Sequence, residues 1–372
     1  MSPQGRVSLL NGAAAALEYW SMYNIVRNRE LAANNIFSRT ISSAIGCCLL
    51  KLTYGMYTIV ARCQNPRHTK IMDLITDESW IRKVDEQTDT TGRRSFALLD
   101  TIEKVRVASY PLYRSDDTVC GVSAAYIHDL PLYRPPRGLI HVANPSRRWK
   151  SNDVSRTTRS IPAEDSVHIG KMVLTSPART ALDLIGQLGE PEAFAALEQV
   201  LRRAVFGSDA NADNAARFGY PNNLGRLARA NIDESFVPVL ERLSKGHRRA
   251  ERLLAFISPL SESYAESRCA YNLALLKITG FDQQVDVFDE NRRIARVDFM
   301  HRDSKTIILV DGLTKYVDNG FTLMRKESGQ YNRLVAMGYR IVRLSFAESV
   351  DLEAFATKLY GQAPWLRTAT RR

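Results

Sequence analysis

The chain has 372 residues, of which 45% are hydrophobic and 24% are charged, so it has enough apolar material for two or three globular domains. Lys and Arg outnumber Asp and Glu by 51 to 40, and the formal net charge of +11 favours polyanionic partners, nucleic acid first. The first residues lack the apolar core of a signal peptide, and no run approaches the ~20 apolar residues of a membrane span. These features predict a cytoplasmic protein and exclude a membrane protein.

The cysteines give no sign of a disulfide framework. There are five, an odd count, and Cys47 and Cys48 are adjacent. This pattern predicts reduced thiols. Cys48, Cys63 and His68 could serve as zinc ligands, but no Cys-x-x-Cys pair accompanies them, so the sequence gives zinc little support.

Residues 1–64 are predicted to form three helices and a hairpin, the order of a winged helix-turn-helix. Helical spacing of apolar residues and turn residues between them set the bounds. The predicted helices are Ala13–Val26, Arg29–Ala33 and Arg39–Ile45, and the predicted strands are Cys48–Leu52 and Met56–Val60. In the third helix, Ile41 and Ile45 are expected to face inward.

The outer face of the third helix carries an arginine and hydroxyl groups, and the wing carries a lysine. Such a helix can enter the major groove of DNA, and such a wing can contact phosphate. The candidate DNA-contacting residues are Arg39, Thr40, Ser42, Ser43 and Lys51. The same arrangement also serves as a protein-interaction module, and the sequence leaves that alternative open.

The run RELAANNIFSRTISSAIGCCLLKLTYGMY, residues 29–57, resembles the amino-terminal domain of the AbiEi-like antitoxin family. The resemblance implies a DNA-binding regulator, and some such regulators repress their own toxin–antitoxin operons. The implied partners are DNA and a cognate toxin protein. A homodimer is a further expectation, although no heptad seam shows how it would form.

The middle of the chain is predicted in three parts. Residues 65–94 are polar and suggest a linker with one or two short helices. Residues 95–206 resemble the middle region of actinobacterial proteins with this arrangement, in the pieces 123–132, 138–144 and 175–184, and are predicted to be an α/β domain. Arg179 and Asp183 have the i, i+4 spacing of a helical ion pair. Residues 207–259 are predicted to be a helical connector.

A basic stretch with aromatic neighbours lies in this middle region. Such residues can follow a phosphate backbone and stack on bases, and a solvated loop explains them equally well. The residues are Tyr133, Arg134, Arg137, Arg147, Arg148, Trp149, Lys150, Arg156 and Arg159.

Residues 260–372 are predicted to follow the order α-β-β-β-α-β, which is the layout of the PD-(D/E)xK nuclease core. The predicted elements are helix 263–278, strands 284–288, 293–300 and 306–311, helix 322–337, strand 339–344 and helix 352–360. Together with the amino-terminal part, this gives an α+β multidomain fold.

Two carboxylates interrupt the apolar hairpin of this domain, Asp298 inside one strand and Asp311 at the end of the next. Charges are rarely placed there without a partner or a metal. Cleavage of a phosphodiester needs a divalent ion, and Mg²⁺ prefers carboxylate oxygens. Asp298 and Asp311 are therefore the candidate metal ligands, with Glu266 to complete the site and Lys315 to stabilise the developing charge.

A test of this hypothesis lies in the register of the hairpin. If Asp298 is opposite Leu309, then Asp298, Leu309 and Asp311 share one face of the sheet, because side chains alternate with a period of two.

The motifs Ala265-Glu-Ser-Arg-Cys, Arg296-Val-Asp-Phe, Val310-Asp-Gly-Leu-Thr-Lys-Tyr and Gly338-Tyr-Arg-Ile-Val-Arg resemble the Vsr-like, restriction-endonuclease-like domain. The resemblance implies Glu266, Asp298 and Asp311 as site carboxylates and Lys315 as a nearby cation. One departure is that Leu309 stands where the family usually has an acid, and the loss of that ligand could abolish cleavage.

The sequence supports a DNA-binding protein of AbiEi-like type with a Vsr-like endonuclease domain, acting in phage defence or toxin–antitoxin regulation. It leaves open whether that domain is an active, Mg²⁺-dependent nuclease. The first alternative is a non-enzymatic transcriptional regulator or antitoxin whose nuclease-like domain only binds DNA or a partner. The second is an adaptor that binds a toxin subunit.

Overall fold

The computed structural model describes residues 21–311 and 329–369. They form a mixed α+β structure with three β-sheets, which confirms the predicted class. The chain divides into two compact units between Gln187 and Leu188.

The first unit begins with a three-stranded antiparallel sheet and two helices. Its elements are β1 (Ile25–Arg27), α1 (Asn28–Ala33), α2 (Ser38–Ala44), β2 (Leu49–Thr53) and β3 (Met56–Ile59). The sheet order is β1-β3-β2, so the first strand lies against the last. The helix predicted over residues 13–26 cannot extend to Val26, because Val26 belongs to β1 and pairs with Tyr57. Residues 13–20 of that predicted helix lie outside the described residues.

Three further helices complete the core of this sheet, namely α3 (Thr69–Met72), α4 (Glu78–Glu86) and α5 (Phe96–Ser109). The segment that the sequence suggests to be a linker buries Ile71 and Trp80 against the strands. The indole Nε1 of Trp80 donates a hydrogen bond of 3.0 Å to the Thr58 hydroxyl of β3. A buried polar group needs such a partner, so this bond fixes α4 on the sheet.

Helix α5 belongs to two buried cores. Its Leu98, Ile102 and Val105 pack in the core of the three-stranded sheet. Its Val107 packs in the core of the next, six-stranded sheet. One continuous helix therefore connects the two sheets of this unit.

The six-stranded sheet has the order β6-β7-β5-β4-β9-β8. Its strands are β4 (Thr118–Val119), β5 (Ile140–Asn144), β6 (Trp149–Lys150), β7 (Val154–Thr158), β8 (Ser166–Ile169) and β9 (Met172–Thr175), and its helices are α6 (Gly121–Ile127) and α7 (Pro177–Gln187). Two buried arginines form ion pairs here, Arg156 with Asp117 and Arg179 with both Asp165 and Asp183. Arg156 lies 2.8 Å from Asp117. Arg179 Nε lies 3.1 Å from Asp183, which confirms the predicted helical pair.

The second unit begins with helices, continues with a mixed sheet and ends with three further helices. Its helices before the sheet are α8 (Glu190–Phe206), α9 (Asp209–Phe218), α10 (Leu224–Ser235), α11 (Val237–Glu241), α12 (His247–Leu254) and α13 (Tyr264–Leu275). The strands are β10 (Phe281–Asp289), β11 (Arg292–His301), β12 (Thr306–Val310) and β13 (Arg340–Leu344), and they lie in that order. The first three are antiparallel neighbours, whereas β12 and β13 are parallel.

Both faces of the four-stranded sheet are covered. On one face, Phe299, Ile308 and Val310 pack with residues of α13 and of α15 (Leu352–Gln362). On the other face, Ile307 and Leu309 pack with Leu334 from the helical residues 329–336. Two short helices, α14 (Phe346–Val350) and α16 (Leu366–Ala369), flank α15. The start of the helix predicted over 322–337 lies outside the described residues.

Candidate functional site

Glu266 is held at the amino-terminal end of α13. The Ser263 hydroxyl accepts a hydrogen bond from the Glu266 amide and donates one of 2.8 Å to Oε1 of Glu266. Oε2 of Glu266 accepts from the Glu262 amide at 2.9 Å and from Nε2 of Gln284 at 2.8 Å. Ser263 therefore caps α13, and the Glu266 side chain binds the residues around that cap, so the local structure gives Glu266 a role without any metal.

Asp298 lies where the ladder between β10 and β11 is interrupted. The pairs Gln283 with Phe299 and Val285 with Val297 flank the position, and Gln284 has a positive φ of 52°. Phe299 packs in the core beneath α13, whereas Val297 packs in the core of the opposite face. On a regular strand, residues two positions apart lie on the same face. Val297 and Phe299 lie on opposite faces, so the alternation of side chains is broken at Asp298 between them.

The charges of Glu266 and Asp298 interact. Burial first, and then the negative charge of Asp298, raise the pKa of the Glu266 carboxyl to about 8. The Asp298 carboxylate also accepts a hydrogen bond of 2.7 Å from the amide of Val310. The structure therefore brings together two of the three carboxylates that the sequence singled out.

The third carboxylate, Asp311, is engaged elsewhere. Its two oxygens lie 2.7 and 2.9 Å from the guanidinium of Arg343 on the neighbouring strand. Val310 packs beneath α13 while Leu309 packs on the Leu334 side. Because side chains alternate along a strand, Asp311 follows Leu309 to the face opposite Glu266.

The register of the hairpin agrees with the prediction, but Asp298 does not share a face of the sheet with Leu309 and Asp311 as expected. Phe299 pairs with Ile308, which puts Asp298 opposite Leu309 as expected. Asp298 nevertheless lies near Glu266 and not with Leu309, because the ladder is interrupted at its position. The expected shared face required side chains to alternate without interruption along the strand, and they do not.

The described residues do not fit a Mg²⁺ site of the predicted kind. Glu266 is 8% exposed and its oxygens already accept three hydrogen bonds. Asp311 is paired with Arg343, and position 309 offers a leucine instead of an oxygen ligand. Lys315 lies outside the described residues. The described residues therefore do not bring enough carboxylate oxygens to one point to bind a Mg²⁺ ion.

The candidate DNA-contacting residues all lie on the three-stranded part of the first unit. Arg39, Ser42 and Ser43 on α2 and Lys51 on β2 are exposed, and Thr40 is half-buried. The Ser43 hydroxyl is already engaged, since it donates to the Thr40 carbonyl and contacts His68. The prediction that Ile45 faces inward is wrong, because α2 ends at Ala44 and Ile45 is 42% exposed.

The wing, which is the hairpin of β2 and β3, is held against the six-stranded part of the unit. The amide of Tyr54 at its turn donates a hydrogen bond of 2.9 Å to the Asp153 carboxylate. Arg106 of α5 donates to the carbonyl of Leu52. The segment before Asp153 carries the exposed residues Arg147, Arg148 and Lys150.

Of the remaining basic residues of the middle stretch, Arg134 is exposed and lies over the rings of Phe96 and Tyr133, and the other three are paired with carboxylates. Arg137 pairs with Asp100, Arg156 with Asp117 and Arg159 with Asp183. A contribution to phosphate binding is thus best supported for Arg147, Arg148 and Lys150, which are exposed and lie together just before the residue that contacts the wing.

The structure also assembles a cluster that contains the three possible zinc ligands Cys48, Cys63 and His68, which had little support from the sequence, together with Cys47. The ligand atoms of Cys47, Cys48, Cys63 and His68 all lie within 4.8 Å of one another. Cys47 is the member that the sequence did not indicate, and the missing Cys-x-x-Cys pair had argued against zinc altogether. The signal that could have found the group is the coincidence of an adjacent cysteine pair with a later Cys and His in one small domain.

No family model, no curated protein and no solved structure matches this chain. Within residues 21–311 and 329–369, no helix is both long enough and apolar enough to cross a bilayer.

Proposed function

We propose that this protein is a DNA-binding regulator of AbiEi-like type, with a winged helix-turn-helix in front and a restriction-endonuclease-like domain behind that binds DNA without cutting it. The observation that carries the first part is the arrangement β1, α1, α2, β2, β3 with β1 paired to β3. In a winged helix-turn-helix, a short strand before the two helices joins the hairpin that forms the wing, and the second helix reads DNA.

Two further observations support DNA as the ligand. Arg39 is exposed on α2 and Lys51 is exposed on the wing, so both can approach an anionic duplex. The exposed Arg147, Arg148 and Lys150 precede Asp153, which contacts the wing turn. Positive charge on one unit, next to a helix that can enter a groove, is the footprint of a DNA-binding protein.

Features of the second unit support the proposal that it has a nuclease-like fold without nuclease activity. Its element order and its mixed sheet, with β12 and β13 parallel, follow the layout of the PD-(D/E)xK core. Asp311 is paired with Arg343, and Glu266 is engaged at the start of α13. Leu309 stands where the resembled family has an acid, and it packs in an apolar core. Among the described residues, only Glu266 and Asp298 of the proposed carboxylates come together, and two carboxyls of which one is held in a helix cap are a weak basis for binding a metal ion that activates water.

An electrophoretic mobility experiment tests the DNA-binding part, using the promoter fragment of the protein's own gene and a scrambled fragment of equal length. We expect specific retardation of the promoter fragment. Arg39→Ala should weaken it at least tenfold. Arg82→Ala removes an exposed arginine on α4 and is the matched control, which should bind as the wild type does. Equal retardation of both fragments, or equal loss in both variants, would contradict the proposal.

A Mg²⁺-dependent DNA endonuclease is the second candidate function, and the proximity of Glu266 and Asp298 favours it. Incubation of the purified chain with plasmid and phage DNA and Mg²⁺ separates the two. We expect uncut DNA. Cleavage that disappears in Asp298→Ala would establish the enzyme and overturn the non-cleaving regulator.

The biological setting we propose, toxin–antitoxin regulation or phage defence, follows from the family resemblance. It makes a cognate toxin a partner and a homodimer the expected DNA-bound form. Co-purification with the product of the neighbouring gene tests the first expectation, and light scattering of the DNA complex tests the second.

A further inference from the structure

Three cysteine thiols and one histidine imidazole lie close together in the domain of the three-stranded sheet. Cys47 and Cys48 lie in the turn that follows α2, Cys63 lies after β3, and His68 ends the short 3-10 helix Pro66–His68. All four ligand atoms lie within 4.8 Å of one another. We propose that Cys47, Cys48, Cys63 and His68 bind one Zn²⁺ ion, which ties the end of α2 to the segment after the wing.

The spacing of the atoms suits a tetrahedral ion. Nδ1 of His68 lies 3.2 Å from the sulfur of Cys63 and 3.6 Å from the sulfur of Cys48. With Zn–S and Zn–N distances of about 2.3 and 2.1 Å, neighbouring sulfur and nitrogen ligands of a tetrahedral site lie ~3.5 Å apart. Small movements of the side chains therefore suffice to accommodate the ion.

Both adjacent cysteines can bind the same ion because the chain turns at their position. The amides of Cys47 and Cys48 both donate to the carbonyl of Ala44, and Gly46 before them has a φ of +83°. In an extended strand, adjacent side chains would point to opposite faces. The turn removes that restriction and leaves both sulfurs near His68.

A hydrogen bond prepares His68 as a ligand through Nδ1. The Ser43 hydroxyl donates its one hydrogen to the Thr40 carbonyl at 2.9 Å. With that hydrogen used, the hydroxyl oxygen is placed to accept from Nε2 of His68, which lies 2.9 Å away. In that tautomer the proton is on Nε2 and the lone pair of Nδ1 faces the cysteine sulfurs, as metal-binding histidines require.

The donor chemistry selects the metal. Three sulfurs and one imidazole favour Zn²⁺ over Mg²⁺ or Ca²⁺, which prefer oxygen. Cys48 and His68 are buried, Cys63 is half-buried and Cys47 is exposed, so the site has a closed inner side and one ligand open to solvent for entry of the ion. On binding, the three thiol protons are released to solvent and the sulfurs bind as thiolates.

Metal content tests the proposal directly and does not depend on whether the protein binds DNA. We expect one zinc per chain by mass spectrometry in protein purified under reducing conditions without chelator. Cys63→Ser and His68→Ala should lose it, and Cys120→Ala, a buried cysteine outside the cluster, should retain it. A metal-free wild type that also takes up no Co²⁺, or a disulfide within the cluster, would overturn the proposal.

Two further measurements keep the outcome decisive if a variant folds poorly. Wild-type protein stripped by a chelator and reloaded with Co²⁺ should show the visible bands of tetrahedral cysteine ligation. Ser43→Ala should keep the stoichiometry but bind zinc about tenfold more weakly against a competing chelator, and Ser43→Thr should restore the affinity. Zinc bound equally well by His68→Ala and wild type would contradict the assignment.

Discussion

Asp298 lies close enough to Glu266 for its negative charge to add to burial in raising the pKa of the Glu266 carboxyl from 4.5 to about 8. A carboxyl with a raised pKa binds its proton more tightly in the folded state than in the unfolded state. The resulting stabilisation is fully present below pH 4.5 and is lost as the pH rises through about 8.

We therefore predict that the second unit becomes less stable as the pH is raised from 5 to 8 and that Glu266→Gln removes part of this dependence. The free energy of unfolding should change by at most ~1.4 kcal/mol per pH unit from this group. Denaturant titrations at several pH values measure it. Glu198, whose pKa burial raises to about 7, contributes equally in both proteins and cancels in the comparison.

The control for this experiment is Glu353→Gln, which changes an exposed carboxylate on α15. It should leave the wild-type pH dependence intact. A slope in Glu266→Gln equal to that of the wild type would show that the carboxyl does not titrate in this range.

The pair of Asp311 and Arg343 should contribute little to stability. The Arg343 side chain is 42% exposed, and ion pairs of this exposure are worth ~0–1 kcal/mol. A double-mutant cycle with Asp311→Asn and Arg343→Gln should give a coupling energy below about 1 kcal/mol. Mg²⁺ should not raise the melting temperature of the wild type, and a rise that Asp311→Asn abolishes would show that Asp311 binds the ion.

Lys51 on the wing is predicted to contact phosphate without reading sequence. Lys51→Ala should weaken binding to specific and scrambled DNA by a similar factor. It should also reduce the slope of log K against log salt by about 1, since one counterion fewer is released. Fluorescence anisotropy between low and moderate salt measures both. An unchanged slope would place Lys51 away from the duplex.

The buried pair of Asp117 and Arg156 should be costly to break. The two side chains are 0% and 3% exposed, and Asp117 also accepts from Asn144. Asp117→Asn leaves Arg156 without its counter-charge and should destabilise the first unit by about 3–5 kcal/mol. Glu78→Gln, which removes the exposed partner of Arg62, should cost less than about 1 kcal/mol in the same unfolding experiment.

Periodicity and turn residues predicted α1, α2, β2 and β3 at the start of the chain and α13 and the strands β10 to β13 near its end, but not β1. The hairpins around Gly55 and before Thr306, and the ion pair of Arg179 with Asp183, depend on local spacing, which a sequence displays directly. The end of the first helix was missed because Ile25 and Val26 are apolar at a spacing that fits either a helix or a strand. Their pairing with β3 decides for the strand.

The candidate sites were harder to predict because they depend on contacts between distant residues. The interruption at Gln284 moves Asp298 towards Glu266, and no local pattern announces a positive φ at a glutamine. The engagement of Asp311 depends on Arg343, 32 residues further along the chain. The cysteine and histidine cluster likewise needs the turn after α2 and the segment after β3 to meet.

The sharing of α5 between two cores limits how this protein can be dissected. A fragment that ends at residue 64 would lack Trp80, Leu98 and Ile102 and would expose the apolar surface that they cover. Chimeras that transplant the three-stranded sheet and its helices into another protein should therefore retain the chain through Ser109, where α5 ends.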